Sequence, residues 1–362
     1  MPTYLHDLFP PEQVAEAIRA GYVRQQFHPE LPLLILNYTE KAQYERHWTP
    51  VTRICRGLIV EAVTGEVVAW PFGKFFNYGE PDAPSVDLSA PCTVFDKLDG
   101  SLGIVYPTPD GPAVATRGSF TSEQALHATQ VLRTRYAGWQ PPSGITVCLE
   151  IIYPGNRIVV DYGDTDDLFL LAAIDNTTGR TLLADAQKEV DWPGPVAQTL
   201  QYRTLAGALA APPRPNAEGM VVWFPGPDLR LKIKQDDYIK LHRAITDMSA
   251  RAVWELLGAG KTVADICAGL PDELHGWVQA VAGRLENEAR RVEDAARAEH
   301  EEILRKLGEG WTRKDYAALA TASPYRPLLF LLLDGKDVRP QIWKSLRPSG
   351  GDRPVSTSED TA

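Results

Sequence analysis

The chain has 362 residues, with 37 Lys and Arg against 47 Asp and Glu, a net charge of −10; the length predicts two domains, and the charge excludes a polyanion binder held by bulk electrostatics. Its longest apolar run, 328–333, is far below the roughly 20 residues that span a bilayer, and the opening Met1-Pro2-Thr3-Tyr4-Leu5-His6-Asp7 is unlike a signal peptide, so no membrane partner and a cytoplasmic location are expected. Cys55, Cys92, Cys148 and Cys267 lie apart in apolar stretches without a C-x-x-C pair, which excludes a zinc or disulfide framework and predicts buried, reduced thiols.

In chain order, residues 1 to about 90 combine an amphipathic helix over 11–20 with strands over 31–38 and 57–63, and 63–69 reads as a hairpin. From 93 to 234, strand-like runs recur at 94–95, 102–106, 113–116, 146–152, 168–174 and 219–223, broken by Pro and Gly turns. One helix interrupts them, from about Ser122 to Tyr136. This order predicts an α+β domain on mostly antiparallel sheet, over 1–244. Helical spacing then takes over: Leu274, Trp277, Val278, Val281, Leu285, Val292, Ile303, Leu304 and Leu307 share a face, with Glu and Arg on the other. Further helices are expected over 312–321 and 325–333, the last ended by a turn at Gly335. The chain is thus expected to continue as an all-α domain over 245–348 and a disordered tail over 349–362, rich in Ser, Asp, Gly and Pro.

The segment from Val94 to Tyr106 reads as strand, two-residue Asp99-Gly100 turn, strand, because Gly accepts the positive φ of a hairpin turn. Such a turn would hold the Lys97 amine at the mouth of a sheet, making it a candidate covalent nucleophile of a nucleotidyl transferase. An amine attacks phosphorus only when neutral, so neighbouring cations, a metal or burial must lower its pKa. The required cations have a source in Leu229 to Lys234, where alternation places Arg230, Lys232 and Lys234 on one strand face. Alone, that stripe fits an exposed edge as well as a phosphate clamp. Glu150, inside an apolar strand, and Glu218, ahead of another, are costly there unless paired or used.

Cys55-Arg56-Gly57-Leu58-Ile59-Val60 is followed by Pro71-Phe72-Gly73-Lys74-Phe75-Phe76-Asn77, and then by Lys97-Leu98-Asp99-Gly100-Ser101. Thr116-Arg117-Gly118-Ser119, Leu149-Glu150-Ile151 and Asn156-Arg157-Ile158-Val159 come next. Glu218-Gly219-Met220 and Leu231-Lys232-Ile233-Lys234, leading to Tyr238, Leu241 and His242, complete the series. In this order the pieces resemble the nucleotidyl transferase motifs of ATP-dependent RNA ligases, closest to the phage T4 RNA ligase 1 family, over about 37–242.

The resemblance implies an adenylyltransferase domain in which Lys97 becomes covalently bound to AMP while Lys232 and Lys234 act on the phosphates. It further implies that Arg56, Lys74, Phe76, Gly100, Arg117 and Glu150 bind the nucleotide, with Phe76 near the adenine. Metal contact, to Mg²⁺ or Mn²⁺, falls to Glu218, and Glu150 serves ribose or metal. Arg117 stands where the family has Lys, retaining charge but not geometry. His242 receives no catalytic role.

The expected function is joining of RNA 5′-phosphate and 3′-hydroxyl ends in RNA repair by a monomer, with a broken tRNA loop as one substrate and the helical domain selecting the RNA. A DNA ligase or RNA-capping guanylyltransferase shares the lysine chemistry, and a non-catalytic RNA-binding protein is the alternative of another class.

Overall fold

The structure is a computed structural model, and it describes residues 2–182, 186–267, 270 and 272–349. Apart from its first residue, the expected disordered tail lies outside the described residues. Two compact units divide the chain, Met1–His242 and Arg243–Ser356.

Among the described residues, three sheets build the first unit. Strands β1 (Val23–Phe27), β2 (Leu33–Tyr38), β3 (Arg56–Glu61) and β4 (Val67–Ala69) pair antiparallel in sequence order. Both faces of β2 and β3 are apolar, which explains why this sheet is covered twice. Leu34, Leu36, Leu58 and Val60 pack on Val14 and Ala17 of the helix Pro11–Arg19, and the alternate residues Leu33, Ile35 and Ile59 pack on the second sheet.

The remaining strands are β5 (Phe76–Asn77), β6 (Thr93–Lys97), β7 (Ser101–Thr108), β8 (Gly111–Ala115), β9 (Ile145–Ile152) and β10 (Asp167–Asp175). They continue with β11 (Thr199–Leu200), β12 (Gly219–Phe224) and β13 (Leu229–Lys234). The second sheet has the order β10-β9-β7-β8, and the third β11-β6-β12-β13-β5. Among the strand pairs of the described residues only β13–β5 is parallel, with one further parallel bridge between Leu170 and Val196, so the expected antiparallel α+β architecture holds. Ser122 caps the helix Glu123–Thr134 by accepting from Ala125 N. Its Ala128, Val131 and Leu132 bury against Val114, Val147 and Leu149 of the second sheet.

The hairpin expected at Lys97 does not form. β6 ends at Lys97 in the third sheet, where it pairs with β11 and β12, whereas β7 begins at Ser101 in the second, beside β8 and β9. Leu98-Asp99-Gly100 is therefore a crossing between sheets. Gly100 serves close approach, not positive φ: a Cβ there would lie 2.5 Å from the Ile151 carbonyl oxygen.

In the second unit the helices are Ala250–Gly258, Val263–Cys267, Asp272–Leu307, Arg313–Ala320, Arg326–Leu333 and Arg339–Ser345. Val278, Val281 and Leu285 of the long helix share a core with Val253 and Ile266, and Ile303 meets Tyr316 and Leu329 further along. Gly335, at φ 67°, follows the helix Arg326–Leu333, in agreement with the expected turn. Among the described residues no helix is long and apolar enough to cross a membrane.

Candidate functional site

A cavity of about 480 Å³ lies between the second and third sheets. Alternation along β13 decides one wall. Leu231 is buried with Val94 and Val222, Leu229 and Ile233 pack against that cluster, and Arg230, Lys232 and Lys234 line the cavity. The opposite wall includes Glu150 of β9 with Leu171 and Ala172 of β10. The β10–β9 register shifts between Leu170 and Ala172, so Leu171 is a bulged residue, a device that re-aims side chains beside sites.

Of the residues singled out in the sequence, Arg56, Lys97, Gly100, Arg117, Glu150, Glu218, Lys232 and Lys234 all line this cavity. Lys74 and Phe76 do not; they line a neighbouring cavity of about 220 Å³. Successive residues of an extended chain face opposite ways. Phe75 accordingly lines both cavities, and Phe76, 3% exposed, turns inward against Trp48. Phe76, expected to meet the nucleotide, thus does not line the cavity of about 480 Å³; Phe75 does, its ring centroid 4.9 Å from Lys232 Nζ and 5.9 Å from the Arg56 guanidinium carbon.

At the centre, Glu218 is buried and bridges two lysines, with Oε2 2.6 Å from Lys97 Nζ and Oε1 3.1 Å from Lys234 Nζ. Burial would lower the Lys97 pKa, but Glu218 and Glu150 reverse the sign and hold it above the ordinary lysine value. The expected downward shift of Lys97 is thus corrected for this arrangement. Carboxylates, not cations, are its nearest charges. Lys232 is the amine driven well down, by burial and then by Lys97, Arg56 and Lys74. Burial raises the Glu150 pKa to about 8 despite Lys97, and its Oε1 accepts from Gly100 N at 2.9 Å.

Asp99 fixes the crossing segment. Its Oδ2 accepts from the amides of Val159 and Val160, both at 2.8 Å, and its Oδ1 from the Tyr238 hydroxyl at 2.7 Å. The Asp99 amide donates to the Tyr162 hydroxyl at 2.8 Å. All of these partners lie far away in sequence, so only the presence of a buried Asp in an apolar stretch could have signalled them. His242 also lines the cavity, its pKa lowered by burial and then by Lys234.

A second group of cations surrounds Tyr38, which sequence reading did not select. Arg117 Nη1 donates to the Tyr38 hydroxyl at 2.7 Å. Burial would raise the Tyr38 pKa, but Arg117, Arg56 and Lys74 together turn it downward. Asn37, 1% exposed, has no hydrogen-bond partner for either amide atom among the described residues, and Arg56 Nη1 has none either. Buried polar atoms of this kind are costly unless something else satisfies them. A polyanion bearing many acceptor oxygens fits the donors among them, Asn37 Nδ2 and Arg56 Nη1. Among the described residues, no group of three or more His, Cys, Asp and Glu side chains could hold a metal ion.

A family model described as RNA ligase matches residues 54–238. A protein of Thermovibrio ammonificans named putative RNA ligase is 30% identical over 213 residues, 55% of this chain and 55% of that protein. RNA ligase 1 of bacteriophage TS2126 is 29% identical over 154 residues, 37% of each. The chain therefore spans from about a third to just over half of these relatives. A solved structure of a Naegleria gruberi RNA ligase variant with ATP and Mn superposes with a TM-score of 0.34 at 17% identity, covering 43% of this chain and 52% of that one.

Proposed function

This chain belongs to the T4-type RNA ligase family, and from that premise we propose that it is an ATP-dependent ligase joining 5′-phosphate and 3′-hydroxyl RNA ends. One observation carries the reading: a half-buried lysine, Lys97, shares a cavity with Arg56, Arg117, Lys232 and Lys234, and the buried Arg56 Nη1 has no partner among the described residues. Cations this concentrated suit the oxygens of a triphosphate.

In the first step Lys97 Nζ, freed of its proton to solvent, forms a bond to the α-phosphorus of ATP. The bond from that phosphorus to the bridging oxygen breaks, and pyrophosphate leaves with the electron pair. Lys232 and Lys234 offset the charge that builds on the phosphoryl oxygens, and Arg56 and Lys74 hold the leaving group. AMP then passes from Lys97 to an oxygen of the RNA 5′-phosphate. In the last step the RNA 3′-hydroxyl loses its proton and its oxygen bonds to the phosphorus of the RNA 5′-phosphate, whose bond to the oxygen bridging to AMP breaks, and AMP leaves with the electron pair. Storage on lysine divides a difficult joining into easier transfers.

A Mg²⁺ or Mn²⁺ ion fits the donor set, because such ions are commonly held by one or two carboxylates and completed by substrate phosphates and water. Glu150 and Glu218 are the carboxylates that would hold it, and Glu150 takes the first place. Both oxygens of Glu218 are already engaged by lysines, while Glu150 has one oxygen on the Gly100 amide. Bound there, the ion would supply electrostatic stabilisation of the phosphoryl transition state.

Labelled ATP and labelled GTP, incubated separately with the protein and followed by denaturing electrophoresis, test the reading. Label retained from ATP and lost in Lys97→Ala is expected, with sealing of a cleaved stem-loop RNA such as a broken tRNA loop. Label from GTP alone would defeat the assignment in favour of a capping enzyme, and Lys97→Ala that seals RNA normally would defeat the covalent route.

A further inference from the structure

We propose that Trp48 is a positioning residue, the central wall of an aromatic cage with Tyr38 and Phe76 that presents the Lys74 ammonium to the pyrophosphate end of the nucleotide. The proposal rests on the ATP reading above and goes beyond it by naming what holds Lys74 in place. Lys74 Nζ lies 4.9 Å from the centroid of the Trp48 ring, 5.5 Å from that of Tyr38 and 5.6 Å from that of Phe76. The rings brace one another: Tyr38 meets Trp48 edge to face at 5.1 Å and 89°, and Trp48 meets Phe76 at 5.7 Å and 73°. Trp48 is thus the ring nearest the ammonium and the one touching both of the others. Its backbone is also held, since Thr52 Oγ1 donates to the His47 carbonyl at 2.7 Å and Thr49 caps the helix Pro50–Ile54 that follows.

The contrast with the other lysines gives the cage its meaning. Lys97 and Lys234 each rest on Glu218. Lys74 has no ion-pair partner among the described residues; Arg56 and Arg117 act on it as like charges, opposed by Glu80 from beyond ion-pair distance. A half-buried cation in such company needs compensation, and beyond what Glu80 supplies at a distance the ring faces add it without bringing a negative charge into contact. A carboxylate in their place would repel an arriving triphosphate and would have to be displaced. Neutral rings leave the full charge of Lys74 available to the oxygens that gain the electron pair when the phosphorus–oxygen bond breaks.

Single-turnover formation of the lysyl-AMP adduct, with ATP concentration varied, tests the cage in W48F, W48L and K74A. Sealing of pre-adenylated RNA, which has no pyrophosphate to hold, runs in parallel and reports folding. The expected result is that W48L, like K74A, raises the ATP concentration for half-maximal rate about tenfold, whereas W48F stays within about threefold of wild type. Sealing of pre-adenylated RNA by both Trp48 variants should remain within about twofold of wild type. W48L with wild-type ATP dependence overturns the proposal. Equal loss of both reactions in W48L, or W48F as impaired as W48L, overturns it in favour of simple packing. Wild-type protein that forms no adduct with ATP defeats the underlying reading instead, a result no Trp48 variant can imitate.

Discussion

With Glu218 2.6 Å from its Nζ, Lys97 carries a proton that must leave before its nitrogen can bond to phosphorus. Because Glu218 and Glu150 hold its pKa above the ordinary value, the neutral fraction rises about tenfold per pH unit across the neutral range. The rate of lysyl-AMP formation should climb with pH accordingly, and a profile flat from about pH 6.5 to about 8.5 would contradict it. Glu218→Gln removes the larger opposing charge, so burial then acts with less resistance and the profile should shift to lower pH, whatever happens to its maximum. Glu150 gives a stability prediction of opposite character. Burial lifts its pKa from 4.5 to about 8, so between those values the folded protein keeps a proton that the unfolded chain has lost. Stability therefore falls as pH rises through that window and levels off above it. Glu150→Gln cannot ionise, so its melting temperature relative to wild type should rise between about pH 5 and about pH 8 in metal-free buffer. An unchanged difference would show that Glu150 is not held protonated.

Gly100 shows what strand signals leave unsaid. Apolar residues around an Asp-Gly pair correctly mark two strands and a break, but nothing local tells which sheet each strand joins. That choice is made by distant partners, Gly219 to Trp223 for β6 and Cys148 to Ile151 for β7. The consequence is measurable: Gly100→Ala would put a Cβ 2.5 Å from the Ile151 carbonyl oxygen. The variant should lose about 1–3 kcal/mol in urea denaturation and should form adduct far more slowly, because the Gly100 amide also donates to Glu150. Normal stability with normal adduct formation would refute the close-packing account. The β13 stripe was legible for the converse reason, since a period of two fixes which side chains share a face without naming the partner strand. The same rule separates Phe75 from Phe76, but only once the direction of one of them is known. Tyr38 and Trp48 had no such period to betray them. Their cage is assembled from β2, the loop before Pro50–Ile54 and the first residue of β5, and spacing carries no trace of it. Helical periodicity, by contrast, did foretell the long helix Asp272–Leu307.

Over the whole molecule, a net charge of −10 coexists with a cavity whose lining gathers Arg56, Arg117, Arg230, Lys232 and Lys234, only some of them paired with carboxylates. On the proposed function, RNA would be drawn by a local field, and only a few phosphates should be neutralised when it binds. The logarithm of RNA affinity should then fall with the logarithm of salt concentration with a slope of only about −2 to −3, where an extended basic groove would give a much steeper one. The two units sharpen this into a prediction about substrate choice. Every residue assigned to the adenylylation site belongs to Met1–His242, and the helices of Arg243–Ser356 have their own core. A chain ended after residue 247 should keep adduct formation with ATP within about threefold, since no cavity residue is removed. What it should lose is discrimination among a single strand, a nicked duplex and a cleaved stem-loop, measured by parallel sealing assays with matching DNA. Retained discrimination would move RNA selection into the sheet-built unit, where the salt slope of the shortened chain would then have to equal that of the whole.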